Sequence, residues 1–283
     1  MKILVLTALL NVTMLFAQAT PYKIYSSKGK EVNYNKMLNV LKQNDVVLFG
    51  ELHNNSMAHY LQIKVAKSIF ENKKLVIGAE MFETDQNVSL QRYLRKEIDA
   101  ELLGKEIKLW PNFTTDYKPL VDFAQQNNID YVATNVPRRY ASLLYKKGIS
   151  ALDSLPDLEK KWMAPLPFPY DKNLPSYVKM MDMFKDSNHA NENFPKSQAL
   201  KDATMAYFIN NNLKANSVFL HLNGSYHSDY HEGIAWYLKK YNENLKVATI
   251  TVVEQDNVNF LSKEHFTKAD FVIVVDSDVN KSY

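Results

Sequence analysis

The stretch DVVLFGELHNN, Asp45 to Asn55, decides how the rest of the chain is read. Val46 to Phe49 form an unbroken apolar run with no polar alternation. That pattern is expected of a strand buried on both faces, as in a parallel sheet. Gly50 ends the run and lets the chain turn sharply. Glu51 and His53 then follow two positions apart. In parallel α/β sheets, ligands gather at the carboxyl ends of strands, so both side chains are candidates for chemistry.

Further runs repeat the pattern along the chain. KLVIGAEMF (74–82), DYVATNV (130–136), SVFLHLNG (217–224), KVATITVV (246–253) and DFVIVVDS (270–277) are rich in Val and Ile. Between them lie segments with apolar residues at helical spacing: SMAHYLQIKVAKSIFEN, DYKPLVDFAQQNN, PRRYASLLYKKG, KSQALKDATMAYFI and HEGIAWYLKKYN. Ser56 is the expected N-cap of the first, Pro137 a first-turn proline of the third, and Gly148 its C-terminal stop. Strand–helix alternation predicts an α/β fold: a parallel sheet covered by helices on both faces. YKIYSSKGKEV is expected to form a small hairpin ahead of it. Residues 149–195 break the alternation with prolines, aromatics and methionines. They are expected to form a helical cap inserted into one domain spanning 20–283.

Composition narrows the function. The chain is 46% hydrophobic and 23% charged over 283 residues, enough to bury a core without cross-links. Its 34 basic and 31 acidic residues are dispersed, with no clustered stripe for nucleic acid. Cysteine is absent, which excludes disulfides, thiolate metal sites and a cysteine nucleophile. Lys2, an apolar run and then Ala17-Gln18-Ala19 form the pattern of a cleaved secretory signal over residues 1–19. The run is short for a bilayer span, and no later segment is apolar enough to cross one. A periplasmic or secreted location is expected.

The strand ends converge in such a sheet. They bring Glu51 and His53, Glu80 and Glu83, Asn135 with Arg138 and Arg139, and Asn223, Tyr226 and His227 to one edge. GELH and GSYH each place a glycine three positions before a histidine. Two imidazoles and a carboxylate, His53, Glu80 and His227, make a plausible ligand set for a divalent metal. Glu51 would orient a ligand or act as a general base. His59, His189 and His221 are read as structural. Asp202 is flanked by apolar residues on its helix and, if buried, needs a partner such as Arg138 or Arg139. No Gly-x-Ser-x-Gly elbow and no glycine-rich phosphate loop is present.

LFGELHNN, GAEMFE followed by Gln86, ATNVPRRY, QALKDATMAYFI and GSYHSDYHEGIAWYL stand in an order that resembles the ChaN-like family of the haem-binding-uptake and Tiki superfamily. The resemblance runs from about Asn33 to Leu238. It implies a parallel α/β fold with a helical cap and a role in haem binding and bacterial iron acquisition, with an outer-membrane haem uptake system as partner and room for a homodimer. Tiki metalloproteases, similar to the same superfamily, imply roles for Gly50 to His53, Gly224 to His227 and Glu80 around Mn, Co or Zn. Erythromycin esterases resemble it too. The lipid-bearing cysteine common in ChaN-like proteins is missing. Haem iron accepts His, Met, Cys or Tyr, so the cap residues Tyr170 and Tyr177 are the expected ligands, with Arg138 and Arg139 for the propionates. The alternative is a metal-dependent hydrolase built on Glu51, His53, Glu80 and His227.

Overall fold

The computed structural model describes residues 20–185 and 191–283. The expected signal segment, residues 1–19, and His189 lie outside them. In chain order the elements begin β1 (Tyr22–Ser26), α1 (Tyr34–Leu41), β2 (Val46–Glu51), α2 (Ser56–Phe70), β3 (Lys74–Glu83), α3 (Asn87–Leu94), α4 (Ala100–Glu106) and α5 (Lys118–Asn127). They continue with β4 (Asp130–Asn135), α6 (Arg138–Lys147), α7 (Asp157–Lys160), α8 (Pro175–Phe184), α9 (Asn193–Asn211), β5 (Ser217–Gly224), α10 (Ile234–Tyr241), β6 (Val247–Gln255) and β7 (Phe271–Asp276).

The strands form one sheet in the order β1-β7-β6-β2-β5-β3-β4. Every pairing is parallel except that of β1 with β7. The opening segment makes its hairpin contact, Tyr25 opposite Glu31, and β1 also joins the sheet as its antiparallel edge.

Every residue of β2 is buried, and its side chains alternate between two cores. Val47 and Phe49 pack with Leu61 and Val65 of α2 and Leu120 of α5. Val46 and Leu48 pack on the other face with Leu144 of α6, Leu200 and Ala203 of α9, and Leu238 of α10. The pleat alternates sides, so a strand between two helical layers must be apolar at every position. Each such side chain stabilises the fold by roughly 1.5–3 kcal/mol.

Two end signals differ from expectation. Asn55, not Ser56, caps α2: its side-chain oxygen accepts from the Ala58 amide at 2.8 Å. Pro137 stands just before α6, and its carbonyl accepts from the Tyr140 amide. The described part of 149–195 holds the short helices α7 and α8, with irregular proline-containing chain of turns and bends between them. Tyr177 and Phe168 tie it to the second core.

Candidate functional site

β5 lies between β2 and β3, and the parallel register sets Glu51 beside Gly224. The two Gly-x-x-His segments, 171 or more residues apart along the chain, therefore leave the sheet side by side. Close approach explains both glycines. A Cβ on Gly50 would stand 2.9 Å from the Ser225 Cα, and one on Gly224 would stand 2.9 Å from His53 Nε2. Glu80 leaves β3 on the other side of β5, and its Oε2 accepts from the Gly224 amide at 2.7 Å.

The two imidazoles are held differently. His53 Nδ1 donates to Glu51 Oε1 at 2.8 Å, and the ring meets the Trp110 edge at 4.8 Å. Its side chain is 33% exposed. Glu51 is buried and also accepts from the Tyr117 hydroxyl at 2.6 Å and from the Gln62 amide. Burial opposes protonation of His53, but the Glu51 hydrogen bond and the Glu80 charge outweigh it and raise its pKa. His59, on the next helix, donates to the His53 carbonyl at 3.1 Å, and Asn112 donates to the same oxygen at 2.9 Å. These contacts fix the loop that carries His53.

His227 is buried between two carboxylates. Nδ1 donates to Asp202 Oδ1 at 2.5 Å and Nε2 to Glu80 Oε1 at 3.1 Å. Burial works against the charged ring, but Glu80 and Asp202 win and push its pKa up to about 10. Burial likewise opposes ionised Glu80, yet His227 holds it well below the usual carboxylate range. Asp202 is raised, chiefly by burial, with His227 opposing. His227 is thus an imidazolium locked in a clamp, with Gln198 against the same ring.

Above these groups opens a crevice of about 600 Å³. Met180, Met183, Phe194 and Tyr226 provide apolar lining, and His53, Gln198 and His227 provide polar groups. That volume lies within the roughly 300–1,000 Å³ of small-molecule sites.

A family model described as haem-binding uptake, Tiki superfamily, ChaN matches residues 37–238. The chain belongs to this family. The ChaN-family fold is also seen in the solved structure of ChaN from Campylobacter jejuni, a study of cofacial haem binding. The two share 17% identity over 90% of this chain and 97% of that one, with a TM-score of 0.68. A Bacillus cereus protein aligns at 10% identity over 85% and 90% of the two chains, with a TM-score of 0.51. A 100-residue stretch is 25% identical to RETICULATA-RELATED 5, a chloroplastic protein of Arabidopsis thaliana. It covers 35% of this chain but only 13% of that protein. At these identities the structural likenesses show the fold.

Within the ChaN-family fold, the structure brings Glu51, His53, Glu80 and His227 together, as the strand-end argument expects. As a metal centre the set does not fit. Both His227 nitrogens are engaged by carboxylates, Asp202 on Nδ1 and Glu80 on Nε2. Among the described residues, no group of three or more His, Asp or Glu is arranged to hold a metal ion.

The cap residues lie elsewhere. Tyr177 is 1% exposed, and burial raises its pKa far above the ordinary tyrosine value, which opposes a tyrosinate ligand. It stacks on Tyr170 at 5.5 Å beside a separate hollow of about 280 Å³. Arg139 pairs with Asp85 and lies over the Tyr140 and Trp162 rings, and neither it nor Arg138 lines the crevice. Asp202 takes His227 as its partner rather than an arginine. His221 is buried and hydrogen-bonded to Thr134 and Asn223, a core histidine as expected. His227 and His231 do not share a helix face. Each sits in its own short turn, and His231 pairs with Asp270 at 3.5 Å.

No local sequence pattern marks Gln198, Trp110, Tyr117 or Tyr283 as members of the site. Asp202 carried a signal, a charge among apolar neighbours, but its helix alone does not say which strand end it faces.

Proposed function

We propose that this protein binds haem, and that it does so in the crevice at the carboxyl ends of β2 and β5. The carrying observation is the open lining of Met180, Met183, Phe194 and Tyr226 beside an imidazole that still has a free edge. The family supports the ligand class. His53 is the best iron ligand on offer. Its Nδ1 is tied to a buried carboxylate, the arrangement that fixes tautomer and raises basicity in metal-ligating histidines. Tyr226 also faces the crevice, but burial raises its pKa, which disfavours the tyrosinate form. Bound haem would supply a ferric centre open to ligation. This chain's own residues orient the ligand ring, cover the porphyrin faces and exclude water.

The N-terminal apolar segment supports export, and export together with the family supports a role in iron acquisition, delivering haem to or from an outer-membrane uptake system. A homodimer is compatible with that role. The test is a ferric-haem titration of the purified chain, followed at the Soret band, with His53→Ala and Tyr177→Phe beside it. A saturable shift lost in His53→Ala and kept in Tyr177→Phe supports the proposal.

One observation favours a second reading, a hydrolase. His53, backed by Glu51, has the geometry of a general base facing a cleft. In that reading His53 Nε2 takes a proton from a water that attacks the ester or amide carbonyl, and returns it to the departing alcohol or amine as the C–O or C–N bond breaks. Ester or amide cleavage abolished by His53→Ala would support it.

A further inference from the structure

After β7 the chain turns back towards the crevice. The Val279 amide donates to the Asp276 carbonyl at 3.0 Å, and the following residues run antiparallel to the loop after β2. Three kinds of contact pin them there. The Ser56 hydroxyl donates to the Asn280 carbonyl at 2.8 Å, and the Ser282 amide donates to the Asn54 carbonyl at 2.9 Å. Lys281 pairs with Asn55 across an isolated bridge, and its ammonium meets Glu254 of β6. Glu254 in turn accepts from the Asn55 side chain at 2.7 Å. Asn55 is fully buried and caps α2, so the strap is anchored to the residue that also fixes the start of that helix.

The strap sets its last two residues on two different hollows. Ser282 borders a hollow of about 460 Å³ beside His59 and Asp116. Tyr283 borders the main crevice next to Glu51, Leu52, His53 and Asn54. The residue is 63% exposed, so a large aromatic side chain stands largely uncovered at the mouth. This strap lies beyond residue 238, where the family match ends.

We propose that Tyr283 is a haem-contacting wall of the crevice, delivered there by the Asn280–Tyr283 strap, so that the specificity of the site is completed from outside the family-matched region. The inference rests on the haem reading above. A flat macrocycle entering beside His53 covers the Tyr283 ring, and aromatic faces gain from stacking beyond the area they bury. Anchoring the strap to Asn55 and Glu254 keeps the ring in place before the ligand arrives, which lowers the ordering cost of binding.

The test is a ferric-haem titration of the full chain beside Tyr283→Ala, Tyr283→Phe and Glu254→Gln. Tyr283→Ala is expected to weaken binding roughly tenfold and Tyr283→Phe by less than about twofold. Glu254→Gln, which loosens the anchor without touching the crevice, is expected to weaken it by about threefold. The thermal midpoint of Tyr283→Ala without haem should match the parent, since the ring is exposed. Equal haem affinity in the parent and Tyr283→Ala would overturn this inference and leave the haem reading standing. Failure of the parent itself to bind haem would overturn both.

Discussion

His53 and His227 begin from the same local rule, a glycine three positions earlier at the end of a parallel strand, and end in opposite states. His227 has a carboxylate on each ring nitrogen and almost no exposure. His53 has one carboxylate on Nδ1 and a third of its side chain open to the crevice. The difference comes from the neighbours. β5 is central, with β3 beside it and α9 crossing over its end, so Glu80 and Asp202 close on His227. The His53 ring meets Glu51 on Nδ1 and the Trp110 edge, which leaves its far side for a ligand. One histidine builds the site and the other serves it.

The largest effect should come from breaking the clamp. Asp202→Ala leaves a buried imidazolium with one partner fewer, and breaking a buried pair costs roughly 3–5 kcal/mol. For a chain of this size, that lowers the thermal midpoint by roughly 10 °C. Calorimetry checks it, and a drop under about 2 °C would mean that the clamp is not structural.

His221 provides a neutral contrast on the same strand. Its burial lowers its pKa to about 4 from 6.5. The unfolded chain therefore binds an extra proton between those values. The stability His221 contributes is fully present above pH 6.5 and is lost as pH falls towards 4. The span is worth about 3 kcal/mol, taking about 1.4 kcal/mol per pKa unit. Denaturant melts from pH 7 to 4 should show that decline, and it should be much shallower in His221→Gln.

Of the three histidine-site changes, the smallest stability effect should fall on His53. His53→Ala removes a part-exposed ring and should cost about 1 kcal/mol or less, far below Asp202→Ala. If the two variants destabilised equally, the division between a building and a serving histidine would fail.

The sheet was legible because its strands are continuous apolar runs, and a strand covered on both faces has no polar positions to blur it. The order of the strands was not. Placing β5 between β2 and β3 depends on pairings across more than a hundred residues, which no local pattern encodes. The strand-end residues Glu51, His53, Glu80 and His227 were legible for the same reason as the strands. Tyr170 and Tyr177 show the limit: an aromatic cap can cover a crevice or fill a core, and composition does not tell these apart. Tyr177 fills the core. Asp202 and Tyr283 reach the site from a helix and a returning strap, so their place depends on tertiary packing alone.

The central claim is that the crevice beside His53 receives haem. The most direct measurement is a ferric-haem titration of the parent and His53→Ala followed at the Soret band. The account predicts a saturable shift at micromolar haem for the parent and a loss of at least about tenfold in affinity for His53→Ala. No shift in the parent, or an unchanged shift in His53→Ala together with its loss in Tyr177→Phe, would contradict it.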